Sequence, residues 1–289
     1  MRRALFLPGA NSRRFSSLAA STSYNALQDG DISFFERLLG RQNVLLGDLV
    51  EDASGCLGGP LEQYNVDWMR KFHGMSRLCL RPEATEQVAA ILRHCNERRL
   101  VIVPQGGNTS LAGASVPIAD EIVLSMGRAN RIESFDADSG VAVCQAGTVL
   151  QQLDDHVAPH GFVVPLDLAV KGSCQIGGNI ATNAGGLRLL RQAEELAQGP
   201  CPSSNARCDR GSGVIRFSPC HGSVLGAYIS SFRYGSLHGN VLGLEAVLAD
   251  GTVIDSLSAL RKDNTGIDVK QLFIGERSRC ASPHTLFVL

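Results

Sequence analysis

Two segments made almost entirely of small residues constrain this sequence more than any other feature. The first reads PQGGNTSLAGAS (residues 104–115), and the second reads KGSCQIGGNIATNAGG (residues 171–186). A backbone without side-chain bulk can turn sharply and direct successive N–H groups towards one anion, and Thr109, Ser110 and Ser115 add hydroxyl donors. The first segment is therefore a candidate diphosphate site or, alternatively, a glycine-rich surface turn.

The residues before the first segment have a pattern typical of a β-α-β unit. Residues 78–80 form a short apolar strand, Thr85 is a candidate N-cap, and apolar residues at 88, 91, 92 and 95 form one helical stripe. Residues 100–103 resemble a buried strand, which predicts a parallel crossover. The first segment has neither the lysine of a P-loop nor the GxGxxG pattern of a Rossmann site, so both are excluded.

The second segment makes a shared ligand a better explanation than two separate turns. Both segments could wrap one long cofactor, because a ribityl chain and a planar ring require close backbone approach and a few polar donors. Strand-like stretches lie between them at residues 121–125, 131–135 and 140–146, and Gly147 and Thr148 begin a predicted helix. Asp250-Gly251 between apolar runs predicts an antiparallel hairpin, so the fold class is α+β rather than doubly wound.

Composition excludes several classes of protein. The 27 basic and 28 acidic residues give a formal charge of -1, which argues against nucleic-acid binding through a basic surface. The 44% of hydrophobic residues is typical of a globular chain, and no apolar run is long enough to predict a membrane span. The nine cysteines contain no CxxC pair, which favours reduced thiols in an intracellular compartment.

The first residues have a different composition. Residues 1–23 contain four arginines, many serines and no acidic residue, which is typical of a mitochondrial transit peptide. The alternative is a disordered basic tail. We therefore predict a transit peptide over residues 1–25, followed by an N-terminal extension over residues 26–64.

Four longer strings resemble a known family: PQGGNTSLAGASVP, PLDLAVKGSCQIGGNIATNAGGLR, YGSLHGNVLGLEAVLADGTVID and LRKDNTGIDVKQLFIG. They are similar to the mitochondrial D-2-hydroxyglutarate dehydrogenases, which are flavoenzymes with the vanillyl-alcohol-oxidase (PCMH) type of FAD domain. The resemblance covers residues 65–275. It implies a two-subdomain, α+β, PCMH-type FAD-binding domain.

The resemblance also implies where FAD binds. The first segment would hold the diphosphate, and the second would line the ribityl chain and the flavin. FAD should be non-covalent, because the first segment lacks the histidine to which some relatives attach it. The implied cofactor-binding residues are Gln105, Gly106, Gly107, Asn108, Thr109, Ser115, Pro165, Asp167, Gly172, Ser173, Gly177, Gly178, Asn179, Thr182, Asn183, Gly185 and Gly186.

The reaction implied by the resemblance is oxidation of (R)-2-hydroxyglutarate, a small 2-hydroxy acid, to 2-oxoglutarate in the mitochondrial matrix. Hydride passes from C2 to flavin N5, a base takes the hydroxyl proton, and electrons then pass to electron-transfer flavoprotein. The family's substrate clamp and zinc ligands lie in HxGDGN-type and AEHG-type segments. Neither occurs in this sequence, so no zinc site is expected and the catalytic base is unassigned.

Two regions depart from the family pattern. Residues 192–233 are 42 extra positions expected to be a disordered insertion, and residues 276–289 are a divergent tail. Both fit a truncated splice variant or a mispredicted transcript. Loss of the family's next strand should expose an apolar sheet edge and lower stability. A catalytically dead FAD-binding module and a product that does not fold are the alternatives to an active enzyme.

Other polar clusters are better explained as ordinary surface than as sites. Cysteines 201, 208 and 220 with His221 fit no standard zinc finger. His238 could orient a flavin ring oxygen, although a loop histidine with ordinary partners is the simpler interpretation. The remaining candidates are Arg188, Arg191, the family-like stretch Lys262–Gly266, and the superficially metal-like group Asp154, Asp155, His156 and His160.

Overall fold

The structure is a computed structural model that describes residues 24–47, 59–117, 120–185, 237–258 and 266–275, and the backbone of a strand at Phe287–Val288. Residues 1–23, the insertion 192–233 and most of the tail lie outside the described residues. The same is true of Gly186, Arg188, Arg191 and Lys262–Thr265.

A four-stranded sheet forms the first part of the fold. Its strands are β1 (Val44–Leu46), β2 (Leu78–Leu80), β3 (Ile102–Gln105) and β4 (Ile122–Ser125), in the order β1-β2-β4-β3. Strands β2, β4 and β3 are parallel, and β1 is antiparallel to β2. The predicted parallel crossover is therefore confirmed. It joins β2 to β3, and β4 lies between these two strands in the sheet.

Three helices accompany this sheet: α1 (Asp29–Leu39), α2 (Glu62–Asn65) and α3 (Thr85–Arg98). The predicted stripe of α3 is buried at Val88, Ile91, Leu92 and Cys95, and it packs with α1 and the sheet in one core. Burying each large aliphatic side chain contributes about 1.5–3 kcal/mol, so this core anchors the strand that leads into the first glycine segment.

Two local predictions for this unit need correction. Thr85 is not the N-cap of α3, because Ala84 occupies that position and the Thr85 hydroxyl instead donates to Glu245 at 2.6 Å. The third strand begins at Ile102 rather than Leu100, because Arg99 adopts a left-handed conformation and the Leu100 N–H still bonds to Cys95 at the helix end. The chain therefore needs two more residues before it becomes extended.

The second part of the fold contains two small antiparallel sheets. Strands β5 (Ile132–Asp136) and β6 (Val141–Cys144) form one, and helices α4 (Leu150–Val157) and α5 (Ile176–Ala181) follow. Strands β7 (Glu245–Val247) and β8 (Val253–Asp255) form the predicted hairpin, which turns at Gly251 with φ of +82°. The chain is thus α+β, as expected.

The edge of β7 differs from the expectation for a truncated chain. Strand β9 (Phe287–Val288) pairs antiparallel with β7, so that Ala246 faces Val288 and Val247 faces Phe287. Backbone from the divergent tail therefore covers part of an edge that was expected to be exposed.

A buried ionic cluster joins α1 to α3. The Asp31 carboxylate accepts hydrogen bonds from His94 Nε2 (2.8 Å), Arg98 Nε (3.0 Å) and the Gln28 N–H (3.0 Å). Burial alone would raise the pKa of Asp31, but these hydrogen bonds outweigh it and hold the pKa below its usual value of 3.8. The cluster fixes α1, the first described helix, on α3.

The cysteines of the described residues are not suited to nucleophilic chemistry. Cys79, Cys95, Cys144 and Cys174 are free, and burial raises the pKa of Cys79 and Cys95 to about 12 and that of Cys144 to about 11. Protonated, buried thiols are poor nucleophiles.

Among the helices described, none has the length and apolar character needed to cross a bilayer.

Candidate functional site

The first glycine segment leaves the sheet at the end of β3 and is held as a closed loop by its own polar side chains. Gln105 Nε2 donates to the carbonyls of Tyr64 (2.9 Å) and Ser115 (2.8 Å), which ties the two ends of the loop together. Asn108 adopts φ of +51°, and its side-chain oxygen accepts the Ser115 hydroxyl at 2.9 Å. The side chains of Gln105, Asn108 and Ser115 therefore shape the loop.

The backbone of this loop offers donors that the described protein does not use. Within the described residues, the N–H groups of residues 106–110 donate to no protein acceptor, and all five residues are partly accessible. The segment 104–115 contains no lysine or arginine. Successive free amides around a left-handed residue form a concave anion site, so an anion here would be bound by N–H groups.

The two glycine segments meet at Gly107. A Cβ atom built on Gly107 would lie 1.9 Å from the backbone oxygen of Ser173, and one built on Gly106 would lie 3.1 Å from Gln175 Oε1. A contact of 1.9 Å with a backbone atom cannot be relieved by rotating a side chain. Glycine is therefore required at position 107 for the loop to lie against the second segment.

The second segment continues through α5 and presents one accessible face. Gly177 is buried against Ala146 with its N–H bonded to the Ala146 carbonyl at 2.8 Å, and Asn179 is 5% exposed. Gly178 has no atom within 4 Å of a Cβ built on it. Gly177 and Asn179 thus pack inwards, whereas the exposed members of the predicted set are Gly172, Ser173, Gly178, Thr182, Asn183 and Gly185.

These features fit an FAD molecule. The free amides of residues 106–110 match a diphosphate, and the exposed small residues beside them leave room for a chain and a ring to approach the backbone closely. At the junction, Gln175 Oε1 is buried without a protein hydrogen-bond partner in the described part of the chain. A buried acceptor without a hydrogen-bond partner is uncommon in a folded protein.

The structure does not show the other predicted residues at the junction of the two glycine segments. Pro165 and Asp167 are half-buried in the loop before the second segment, and Gly186 lies outside the described residues. His238 lines a separate cleft of about 480 Å³ with residues 256–258 and 266–271, and this cleft contains none of the predicted cofactor-binding residues. Whether the predicted residues contact FAD therefore stays a prediction.

The metal-like group on α4 has structural partners. Asp154 accepts the Val164 N–H at 3.1 Å, and Asp155 accepts the Gln151 side chain at 2.6 Å. The rings of His156 and His160 lie against Phe135, at centroid distances of 6.3 and 5.2 Å. Three or more potential ligands do not converge anywhere in the described residues.

Sequence reasoning missed the loop of residues 66–75, which we call the tryptophan loop. Its Asp67 is 3% exposed, and the carboxylate accepts N–H groups from Met69 (3.2 Å), Lys71 (2.7 Å) and Phe72 (2.7 Å). Burial raises the pKa of Asp67, but these bonds outweigh it and lower the pKa below its usual 3.8. Asp67 lies within the sequence strongly similar to the family, but nothing in its spacing indicated this role.

The tryptophan loop is attached to the first glycine segment. Asn108 Nδ2 donates to the Val66 carbonyl at 2.7 Å, and a Cβ built on Gly113 would lie 2.6 Å from the Phe72 ring. Gln175 was also missed, although it lies between two predicted residues in the string GSCQIGG. Both omissions concern contacts between residues far apart in the chain.

Comparisons with known proteins give relatives that match most of the chain. The model of a family described as an FAD binding domain matches residues 76–195. A mitochondrial D-2-hydroxyglutarate dehydrogenase of Arabidopsis thaliana is 45% identical over 252 residues, which are 87% of this chain and 36% of that protein. A putative mitochondrial D-lactate dehydrogenase of Schizosaccharomyces pombe is 41% identical over 268 residues, covering 93% of this chain and 42% of that protein.

Solved structures agree on the fold. A structure of alkyldihydroxyacetonephosphate synthase superposes with a TM-score of 0.60 at 14% identity, over 92% of this chain and 43% of that one. The PCMH-type α+β fold expected from the sequence is confirmed. The chain spans about two fifths of the length of the curated relatives that it matches. It is homologous to the D-2-hydroxyglutarate dehydrogenases over most of its own length, and its residues 76–195 match the FAD binding domain family.

Proposed function

We propose that this chain binds FAD non-covalently, with the diphosphate on the amides of residues 106–110. The observation that carries the proposal is that the N–H groups of residues 106–110 are free within the described residues, and that Gly107 among them lies against Ser173 of the second glycine segment. The ribityl chain and the flavin would lie along the accessible face of the second segment. The residues proposed to face them are Gly172, Ser173, Gly178, Thr182, Asn183, Gly185 and Gly186.

The proposed reaction is oxidation of (R)-2-hydroxyglutarate to 2-oxoglutarate. When bound, FAD supplies the hydride acceptor for C2 of the hydroxy acid. The two glycine segments would hold the cofactor and exclude bulky side chains from its ring. The names of the relatives support a 2-hydroxy acid as the substrate class.

Transfer of electrons to electron-transfer flavoprotein and a location in the mitochondrial matrix complete the proposal. Several relatives are named mitochondrial, and residues 1–25 have the composition of a transit peptide. The acceptor itself is inferred from the family resemblance.

A second candidate is an FAD-binding module without turnover. It is favoured by the family match, because the model that matches residues 76–195 describes an FAD binding domain alone. Both candidates share the FAD site, and they differ in whether the hydroxy acid is oxidised.

One preparation tests both candidates. The purified chain is saturated with FAD, freed of excess by gel filtration, and assayed with (R)-2-hydroxyglutarate and an artificial electron acceptor. We expect a flavin absorbance spectrum equivalent to one FAD per chain. Turnover of the (R) but not the (S) substrate supports the dehydrogenase, and bound flavin without turnover supports the module. A colourless protein that is folded by circular dichroism contradicts both.

A further inference from the structure

Large apolar side chains are exposed beside the first glycine segment. Trp68 is 61% exposed and Met69 58%, both on the tryptophan loop, and Leu111 within the glycine segment is 65% exposed. Trp68 and Met69 are adjacent in the chain, and exposed apolar side chains that form a patch mark places where a ligand or a partner binds. What these side chains can bind depends on whether the backbone that carries them is held in place.

The tryptophan loop is held firmly from inside. The Asp67 carboxylate binds three backbone N–H groups of the loop, and Val66 pairs with His73 across its base. Asn65 and Ser76, which flank the loop, are almost fully buried and bond to each other through both Asn65 side-chain atoms. None of these bonds involves the indole, so the loop presents Trp68 without depending on it.

The first glycine segment lies between the tryptophan loop and the second glycine segment. It contacts the tryptophan loop through Asn108 and Gly113, and it contacts the second segment through Gly107 and Ser173. A dinucleotide carries a ring system on each side of its diphosphate. If the diphosphate lies on the first segment, one ring system can extend towards the second segment and the other towards the tryptophan loop.

We propose that Trp68, with Met69 and Leu111, binds the adenine ring of the dinucleotide, because the flavin is placed on the second glycine segment. This inference rests on the proposed function, because it requires FAD on the first segment. Indole stacks on heteroaromatic rings, and thioether and aliphatic groups pack at ring edges. A rigid loop keeps the ordering cost of such a contact low.

The test uses the only tryptophan in the chain. The variants W68A, W68F and V253A are compared, since Val253 is an exposed apolar residue on β8, outside the glycine segments and the tryptophan loop. Affinities for FAD, FMN and ADP are measured by equilibrium titration, and the melting temperature of each cofactor-free protein is recorded. W68A should weaken FAD binding about tenfold and W68F less than about threefold, with V253A unchanged. Melting temperatures should not change, because Trp68 is mostly exposed.

The two smaller ligands identify the ring. Weaker ADP binding by W68A, with FMN binding unchanged, supports adenine at Trp68, whereas weaker FMN binding with ADP binding unchanged overturns this inference. Unchanged FAD affinity in W68A overturns this inference while leaving the proposed FAD site intact. A lower melting temperature in W68A, with no recovery of FAD affinity in W68F, shows a packing role and also overturns it. If the wild-type chain binds none of the three ligands, both this inference and the proposed function fail.

Discussion

Replacing Gly107 with alanine is expected to weaken FAD binding strongly and to destabilise the domain. The added Cβ would lie 1.9 Å from the Ser173 backbone oxygen, so one of the two glycine segments must move. Forced overpacking of this kind costs about 3 kcal/mol of the free energy of unfolding. Separating the segments should also weaken FAD binding by roughly 100-fold. Urea denaturation and FAD titration measure the two effects.

Two matched glycines give this prediction its controls. Gly30 in α1 has nothing within 4 Å of a built Cβ, so G30A should keep or slightly raise the stability and leave FAD affinity unchanged. Gly178 has equally open surroundings but belongs to the proposed cofactor face. G178A should keep or slightly raise the stability of the cofactor-free protein and still reduce FAD affinity. Equal stability of G107A and G30A would show that the two segments do not meet as described.

The second large effect is expected at Asp67. Asp67→Ala removes the acceptor for three backbone N–H groups of the tryptophan loop, and leaving buried donors unpaired costs about 3 kcal/mol in total. Asp67→Asn retains one side-chain oxygen and should lose about half as much. Because the loop supports Asn108 through the Val66 carbonyl, the alanine variant should also bind FAD more weakly.

Stability should depend on pH through the same carboxylate. The pKa of Asp67 is lowered in the folded protein, so its stabilising contribution is present above the unfolded pKa of about 4 and is lost as the pH falls through the folded value. Asp31 titrates with the same sign. Urea denaturation between about pH 7 and pH 3 should show a shallower acid loss in D67N than in the wild type. An identical slope in the two proteins contradicts this assignment.

Local patterns predicted the elements around the site well. Strand β2 has the predicted bounds, the stripe of α3 is buried where expected, and the hairpin turns at Asp250-Gly251. Each of these features depends on residues close in sequence. The two-residue shift of β3 arose because the left-handed turn at Arg99 has no glycine or asparagine to predict it.

The sequence predicted which segments form the candidate site, but it did not predict what each residue within them does. Small residues correctly indicated where the backbone approaches closely, and the contact between Gly107 and Ser173 joins the two segments. Composition could not distinguish Asn108, which bonds to the loop itself, from an exposed residue such as Thr182. It also could not place Trp68 beside the first segment, because that position depends on long-range hydrogen bonds.

Hydrogen exchange of the backbone amides, with and without FAD, tests most directly the claim that both glycine segments close around one cofactor. The account predicts that FAD slows exchange in peptides covering residues 105–116 and 172–185 together, with the same FAD concentration dependence. Peptides from α3, whose core is already buried, should be unchanged. Protection of only one segment, or of neither, would contradict the account.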